Sequence, residues 1–151
     1  MRVHIGTDHA GFEMKNILVQ TLQARGYEVI DHGAEDYDSE DDYPAFIIPA
    51  AEAVIQDPGS LGIVLGGSGN GEVIVANKVR GVRAALIHSH DTAVLARKHN
   101  NANVASVGAR MHSREQVIDM VLAFLTTDFS GAERHVRRIA MISAYEESVS
   151  A

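Results

Sequence analysis

Cysteine is absent from this chain of 151 residues, which excludes a disulfide framework, a thiolate metal site and a cysteine nucleophile. Aromatic residues make up only 5% of the chain and hydrophobic residues 46%, so the core must be built mainly from Val, Ile, Leu and Ala. That composition is typical of a parallel sheet that is covered by helices on both faces. The length predicts a single domain over residues 1–151.

Excess positive charge and long apolar runs are lacking as well. A net charge of −7 argues against nucleic-acid binding, which depends on clustered cations that release counterions from phosphates. No apolar stretch is long enough to span a bilayer, and Met1 to Gly6 leads directly into a strand-like run without a signal-peptide pattern. We therefore expect a cytoplasmic protein that binds neither nucleic acid nor membrane, with any anion site confined to a local cluster.

Predicted strands and helices alternate along the chain. The repeated βα order requires a parallel sheet with right-handed crossovers, so we expect an α/β, three-layer Rossmann-like fold with five parallel strands and an extra C-terminal helix. Hydrophobic patterning and turn signals predict strands at 2–7, 28–31, 61–65, 83–87 and 104–107. They predict helices at 12–25, 44–55, 73–78 and 90–97, and two more that open with the capping boxes Ser113/Gln116 and Ser130/Glu133.

A glycine-rich loop at residues 65–72 connects the third strand to the third helix. Glycine accepts positive φ angles, so the backbone N–H groups of such a loop can turn toward one point and bind an anion. Glu72 ends the loop, where a carboxylate would repel a phosphate but could act as a base beside developing negative charge. The loop by itself leaves a structural and a catalytic interpretation open.

Other polar residues have two interpretations each. Asp8 follows the first strand and is read equally well as a helix cap or a site residue, and His9 as a surface histidine or a site residue. The acidic run at 35–42 predicts a solvated loop, and the apolar helix after Pro44 predicts burial on two sides.

Two arginines near the start of the last helix, Arg134 and Arg138, lie four residues apart and share one face. Cations in the first turns of a helix oppose its macrodipole, which indicates either a bound anion such as phosphate or a solvated basic patch.

The polar residues at the strand ends predict one cleft. Asp8 with His9, the glycine loop with Glu72, and the segment from Asn100 to Arg110 are all expected at the carboxyl edge of the sheet. A carboxylate base, backbone donors, the hydroxyl of Ser68, a histidine and arginines suit proton transfer next to the carbonyl of a phosphorylated sugar. That reaction needs no metal or organic cofactor.

Several motifs together resemble the type B ribose-5-phosphate isomerases, a family that also includes galactose-6-phosphate isomerase subunits and allose-6-phosphate isomerases. The resemblance covers almost the whole chain. Its motifs are Gly6-Thr7-Asp8-His9-Ala10-Gly11, Asp42-Tyr43-Pro44, Gly66-Gly67-Ser68-Gly69-Asn70-Gly71, Ala76-Asn77-Lys78, His99-Asn100-Asn101-Ala102-Asn103 and Gly108-Ala109-Arg110.

The resemblance implies interconversion of ribose 5-phosphate and ribulose 5-phosphate, with Glu72 as base, His99 as ring-opening acid and Ser68 at the oxygens between which a proton moves. It implies a homodimer or a tetramer in which the His99 segment and the C-terminal helix serve the site of a second subunit. The substrate-binding residues that it implies are Asp8, His9, Tyr43, Gly67, Ser68, Gly69, Asn70, Gly71, Asn100, Arg110, Arg134 and Arg138.

One position departs from the commoner form of the family, in which a cysteine just before the loop acts as base. Gly66 stands there in this chain, so the resemblance runs to the branch in which a glutamate at position 72 takes that role. A glutamate is already ionised at neutral pH. Burial and the helix dipole shift its pKa in opposite directions, and the sequence leaves the outcome open.

Rival interpretations follow from the same residues. A dinucleotide-binding loop is disfavoured because its third glycine position is Glu72 and the loop follows the third strand. A hexose 6-phosphate isomerase and a non-enzymatic sugar-phosphate sensor stay open. A metal site at His88, His90 and Asp91 is disfavoured against a solvated polar cluster.

Overall fold

The structure, a computed structural model, describes residues 1–150. Over that range five strands form one parallel sheet in the order β2-β1-β3-β5-β4. All six residues of the central strand β3 are buried, as expected for an apolar strand between two helical layers. The strands are β1 (Arg2–Thr7), β2 (Glu28–Asp31), β3 (Leu61–Gly66), β4 (Ala84–Leu86) and β5 (Val104–Gly108).

Helices cover both faces of the sheet. The described helices are α1 (Phe12–Ala24), α2 (Pro44–Gln56), α3 (Asn70–Ala76), α4 (His90–Asn100), α5 (Arg114–Thr126) and α6 (Glu133–Val149), with a short 3₁₀ helix at His9–Gly11. The larger apolar cluster joins one face to α1, α4 and α5 through residues such as Leu18, Ala96 and Phe124. The smaller cluster joins the other face to α2 and α3 through Ile47 and Ala76. The predicted three-layer fold with a C-terminal helix is confirmed.

Helix α2 buries one face instead of two. Ile47 and Ala51 are fully buried against the sheet, whereas Ile48 and Ile55 are 38% and 39% exposed. A helix in an outer layer meets only one sheet surface, so the prediction of burial on two sides is wrong within residues 1–150. An apolar strip of α2 faces outward.

The two predicted capping boxes have different outcomes. Ser113 and Gln116 form theirs at the start of α5. Helix α6 instead begins after Ala132, without a side-chain cap, so the Ser130/Glu133 box is wrong. The Ser130 hydroxyl accepts a hydrogen bond from the backbone N–H of Ala132 and pairs with Nδ1 of His135 at 2.7 Å. Because the Ser130 hydroxyl pairs with the buried imidazole of His135, it does not cap α6.

Helix α6 lies outside the two main clusters. It packs on α4, and near its other end Glu146 accepts a hydrogen bond from the backbone N–H of Gly81 at 3.0 Å. Its large exposed apolar side chains are Val136, Met141, Ile142, Tyr145 and Val149. Within residues 1–150, neither α6 nor any other helix combines the length and apolar character needed to cross a membrane.

Candidate active site

The loops that follow β1, β3 and β5 meet at the carboxyl edge of the sheet. The backbone N–H of Ala109 donates to the carbonyl of Gly66 at 2.8 Å, and the Thr7 hydroxyl donates to the carbonyl of Leu65 at 2.9 Å. These bonds join the three loops. We call the predicted site residues gathered here the carboxyl-edge cluster: Asp8, His9, Tyr43, Gly67, Ser68, Gly69, Asn70, Gly71, Glu72 and Arg110.

The glycine loop is held in one shape by its neighbours. Gly69 adopts a φ of +83°, and a side chain there would meet Leu86 and the backbone of Gly108. The hydroxyl of Ser106 donates to the carbonyl of Gly69 at 2.8 Å. The Ser68 side chain accepts from the backbone N–H of Asn70 at 3.2 Å and is otherwise exposed. The loop therefore presents the Ser68 hydroxyl from a fixed backbone.

Tyr43 and Arg110 border this loop from two sides. A methyl group added at Gly71 would overlap the ring of Tyr43, so that ring lies directly on the loop. A methyl group added at Gly67 would lie 3.6 Å from the Arg110 side chain. Both residues were expected at the substrate site, and the fold brings both to the loop.

The Glu72 side chain is buried, with 4% of its surface exposed. It lies in the first turn of α3, because that helix begins at Asn70 rather than at the predicted residue 73. Burial raises the pKa of its carboxyl group, its own backbone N–H lowers it, and the charge of Asp8 raises it further. Burial therefore outweighs the helix terminus, which the sequence could not decide.

His9 is held by Asp41, a residue that the sequence analysis left in a solvated acidic loop. Oδ1 of Asp41 lies 2.6 Å from Nδ1 of His9 and accepts the backbone N–H of His9 at 3.0 Å. Its side chain is only 9% exposed, so the solvated-loop prediction is wrong for Asp41. This hydrogen bond raises the pKa of His9, while burial lowers it and the charges of Asp8 and Asp41 raise it.

Asp8 caps the short 3₁₀ helix and also lies within the carboxyl-edge cluster. Its Oδ1 accepts the backbone N–H of Ala10 at 3.0 Å and so caps the short 3₁₀ helix. Its Oδ2 lies 3.9 Å from Nδ1 of His9. The side chain is nearly buried beside Glu72, which is the placement expected of a site residue.

Within residues 1–150, one group of side chains is arranged so that it could hold a metal ion. Asp8, His9 and Asp41 each offer a ligand atom within 4.8 Å of the others. The disfavoured group of His88, His90 and Asp91 does not assemble there, since Nδ1 of His90 pairs instead with Asp119 at 3.0 Å.

The remaining predicted site residues lie at the opposite, amino edge of the sheet. Helix α4 returns from β4 to the start of β5, so its last residue, Asn100, reaches that edge, where its carbonyl accepts a hydrogen bond from Arg83 Nε at 3.1 Å. The ring of His135 stacks on that of His99 with centroids 4.5 Å apart, which brings the start of α6 there too. We call this the amino-edge cluster: His99, Asn100, Arg134, His135 and Arg138.

One part of the single-cleft expectation is therefore wrong. Arg110 reaches the carboxyl edge because it follows β5, whereas Asn100 precedes β5 and lies at the other end of the same strand. Within one chain, His99 and Asn100 do not meet Glu72. In α6, Arg137 pairs with Glu133 at 4.0 Å, while Arg134 and Arg138 have no carboxylate within 4.0 Å among residues 1–150.

Comparison with known proteins places the chain in a family. Residues 3–142 match the model of a family described as ribose/galactose isomerase. The chain belongs to the ribose/galactose isomerase family. It is 55% identical to ribose-5-phosphate isomerase B of Mycobacterium tuberculosis strain H37Rv over 148 residues, which cover 98% of this chain and 91% of that protein.

Solved structures of the family superpose on nearly the whole chain. Ribose-5-phosphate isomerase B of Mycoplasma genitalium with bound ribulose 5-phosphate has a TM-score of 0.94 and 40% identity, and covers 98% of this chain and 97% of its own. Type B ribose 5-phosphate isomerase of Trypanosoma cruzi has a TM-score of 0.93 and 43% identity, and covers 98% and 99%. The resemblance stated from the motifs is confirmed at the level of the family.

Within this family chain, Gly66 and Glu72 compete for one volume. A methyl group added at Gly66 would overlap the carboxyl group of Glu72. Any side chain at position 66, including the cysteine that the motif resemblance implies for the commoner form of the family, would therefore occupy the volume of this carboxyl group. A side chain at position 66 and the carboxyl group of Glu72 thus exclude each other in this geometry.

Two residues of the site were missed by sequence reasoning. Asp41 was hidden inside an acidic run that reads as a solvated loop, and no local signal separates it from its neighbours. His135 stood beside arginines that drew attention to the helix face instead. Its neighbours in the chain are Arg134 and Val136, and no local signal there predicts its burial.

Proposed function

We propose that this protein interconverts ribose 5-phosphate and ribulose 5-phosphate through an enediolate, with Glu72 as the base. The carrying observation is the buried carboxyl group of Glu72, packed against Gly66 at the base of the glycine loop. Burial raises the pKa of that carboxyl group, which makes its carboxylate a stronger proton acceptor than a solvated glutamate. The relatives are ribose-5-phosphate isomerases B, one of them solved with bound ribulose 5-phosphate, which supports the same reaction.

The proton transfer follows from the positions of the cluster. Glu72 takes the proton from C2 of the open-chain aldose and returns it to C1, while the hydroxyl proton passes from O2 to O1 at the Ser68 hydroxyl. The backbone N–H groups of 67–71 hold the enediolate oxygen as it gains negative charge. Asp8, His9 and Tyr43 surround the sugar, and Arg110 lies beside the loop to bind anionic groups. No step calls for a metal or an organic cofactor.

Ring opening is assigned to His99 of a second chain. The furanose form must receive a proton on its ring oxygen before the aldehyde is available to Glu72. Since His99 and Asn100 lie at the amino edge, a homodimer in which this edge faces the carboxyl-edge cluster of the partner would complete the site. Arg134 and Arg138, both exposed, would then reach the phosphate of the bound sugar.

Exposed apolar surface supports self-association. Helix α6 presents Met141 and Tyr145 at 66% and 69% exposure, and Ile74 of α3 is 62% exposed. Part of this surface borders a cavity of about 580 Å³ between α6 and the segment around Val82. Contiguous apolar side chains on a metabolic protein mark an interface more often than a free surface. The same argument fits a dimer or a tetramer built from dimers.

The isomerase assignment is tested by following hydrogen exchange and conversion separately. Ribulose 5-phosphate cannot form a five-membered ring because its O5 is esterified, so exchange of its C1 proton in D₂O reports only the step assigned to Glu72. We expect exchange and conversion to ribose 5-phosphate with purified protein. Tight binding without either reaction would replace the enzyme with a sugar-phosphate sensor.

Substrate preference is tested by the same assay with allose 6-phosphate and galactose 6-phosphate. Faster turnover of either hexose phosphate than of ribose 5-phosphate would shift the assignment to a hexose phosphate isomerase. The cytoplasmic location expected from the sequence stays a prediction, which fractionation of the source cells would check.

The shared site is tested by mixing two inactive variants. Glu72→Gln and His99→Asn chains that exchange subunits form hybrid dimers in which one of the two sites is intact. Random pairing of equal amounts should restore about a quarter of the wild-type activity on ribose 5-phosphate, by the symmetry of a two-fold dimer. Activity no higher than that of the separate variants would show that each site is built from one chain.

A further inference from the structure

The start of α6 carries a buried imidazole on a helix that is otherwise turned to solvent. His135 is 6% exposed and is the one buried residue of α6. Its ring lies on that of His99, with centroids 4.5 Å apart and planes inclined by 35°. The ring of Phe129 is also near His135, at a centroid distance of 6.5 Å. The buried ring of His135 therefore supports the ring of His99 by direct packing.

The plane of His135 is fixed by a hydrogen bond. Its Nδ1 lies 2.7 Å from the Ser130 hydroxyl. The backbone N–H of Ser130 in turn donates to the carbonyl of Lys98 at 3.1 Å, next to His99 in the chain. The ring stack and the two hydrogen bonds therefore link the end of α4, at Lys98 and His99, to Ser130 and to His135 at the start of α6.

The surroundings of His135 favour its neutral form, which is compatible with its position beside the proposed acid His99. Burial lowers the pKa of His135, and the positive charges of Arg134, His99 and Arg138 lower it further. The ring is therefore neutral at neutral pH, and it supports His99 without adding a positive charge that would oppose protonation of its neighbour.

We propose that His135 is a positioning residue that holds the His99 ring in the orientation needed to protonate the sugar ring oxygen. The inference rests on the proposed function, in which His99 is the ring-opening acid. Orientation matters because a misplacement of about 1 Å in a catalytic group can reduce a rate by about 100-fold. An aliphatic side chain would fill the same space, but it would supply neither the flat stacking surface nor a bond to Ser130.

The test compares two reactions of the same variants. His135→Ala removes the stack, His135→Phe keeps a flat ring without the Ser130 bond, and Ser130→Ala keeps the ring without its anchor. Conversion of ribose 5-phosphate requires ring opening, whereas C1 exchange of ribulose 5-phosphate in D₂O does not. Arg137→Ala, on the exposed face of the same helix, is the matched control.

We expect His135→Ala to lower kcat for ribose 5-phosphate by about 10-fold to 100-fold while C1 exchange changes by less than about twofold. His135→Phe should recover most of the loss, and Ser130→Ala should show a smaller one. Equal losses in both reactions, or an unchanged rate in both, would overturn the proposal. Absence of C1 exchange in the wild-type protein would instead overturn the proposed function, so the two failures are distinct.

Discussion

The two edges of the sheet present opposite kinds of polar cluster. At the carboxyl edge, Glu72 and Asp8 are buried and the loops are joined by backbone hydrogen bonds. At the amino edge, Arg134 and Arg138 are exposed on a helix that buries one residue, within the described part of the chain. The carboxylates of the first cluster are enclosed by their own chain, whereas the guanidinium groups of Arg134 and Arg138 have no carboxylate within 4.0 Å among residues 1–150. The difference favours a site assembled from two chains.

The pKa values of His9 and His135, one histidine from each cluster, are shifted in opposite directions. His9 has a carboxylate partner, Asp41, whose hydrogen bond raises the pKa of His9. His135 has a hydroxyl partner, and two arginines lie nearby. The pKa of His135 is lowered mainly by burial and further by these positive charges. One environment favours an imidazolium and the other a neutral ring, because only the first supplies negative charge.

The largest expected effect comes from removing the base at the carboxyl edge. Glu72→Gln keeps the shape of the side chain and should lower kcat for ribose 5-phosphate by about 10²-fold to 10⁴-fold, since it can no longer accept the C2 proton. Affinity for ribulose 5-phosphate, measured by calorimetry, should change little. Glu52→Gln, on an exposed part of α2, is the control. Near-normal turnover in Glu72→Gln would mean that another group is the base.

The next effect tests whether positions 66 and 72 share one volume. Gly66→Ala should displace the Glu72 carboxyl group and lower kcat by about 10-fold to 100-fold, as expected for a misplaced base. The double variant Gly66→Cys/Glu72→Ala puts a thiol where the carboxyl group lies and should be more active than Glu72→Ala at pH 8. If the double variant is no better than Glu72→Ala, the two side chains do not substitute for each other.

A smaller effect is expected from loosening His9. Asp41→Asn removes the charged partner, and the loss of a hydrogen bond to a charged group predicts a KM for ribose 5-phosphate raised by about 3-fold to 30-fold at pH 7. The pKa of His9 should fall in the variant, so the upper pH limit for binding of ribose 5-phosphate should move to lower pH. Asp36→Asn, exposed in the same loop, should leave both unchanged. An Asp41→Asn enzyme with the wild-type KM and pH profile would remove Asp41 from the site.

The smallest effect concerns stability against pH. Because the folded-state pKa of His135 is lowered, the unfolded chain binds the proton more tightly, and stability is lost as pH falls through about 6.5. The raised pKa of His9 acts oppositely: its contribution is complete below about 6.5 and is lost as pH rises through the folded value. Thermal melts of His135→Phe should therefore lose about 1 to 3 °C less between pH 7.5 and 5.5 than the wild type. A steeper loss in the variant would contradict the lowered pKa.

Local pattern was enough for the elements and for half of the candidate site. The alternation of apolar segments with glycine and proline predicted the strands and helices to within a few residues. It also predicted that Asp8, the glycine loop and Arg110 share one edge, because all of them follow strands of a parallel sheet. The motifs of 6–11, 66–71 and 99–103 were specific enough to indicate the family.

Contacts between distant segments decided the rest. Asp41 meets His9 across 32 positions of sequence, and a loop residue reveals its partner only when the chain path is known. The sequence predicts Asn100 at the carboxyl edge, but it ends α4, which runs back from β4 to the start of β5, so it lies at the amino edge. The sequence predicts Ser130 as a helix cap. Its hydroxyl instead pairs with the imidazole of His135, a contact that depends on tertiary packing.

The sequence by itself determined the layered fold, the family and a glutamate beside a glycine loop, since these depend on periodicity and on residue types at short spacing. Only the tertiary structure decided that the carboxyl group of Glu72 occupies the space beside Gly66, that the Asp41 side chain is only 9% exposed, and that the predicted site residues of one chain lie at opposite edges of its sheet. Volumes, burial and the sides of a sheet are properties of the packed molecule, because each depends on atoms that the linear order does not bring together.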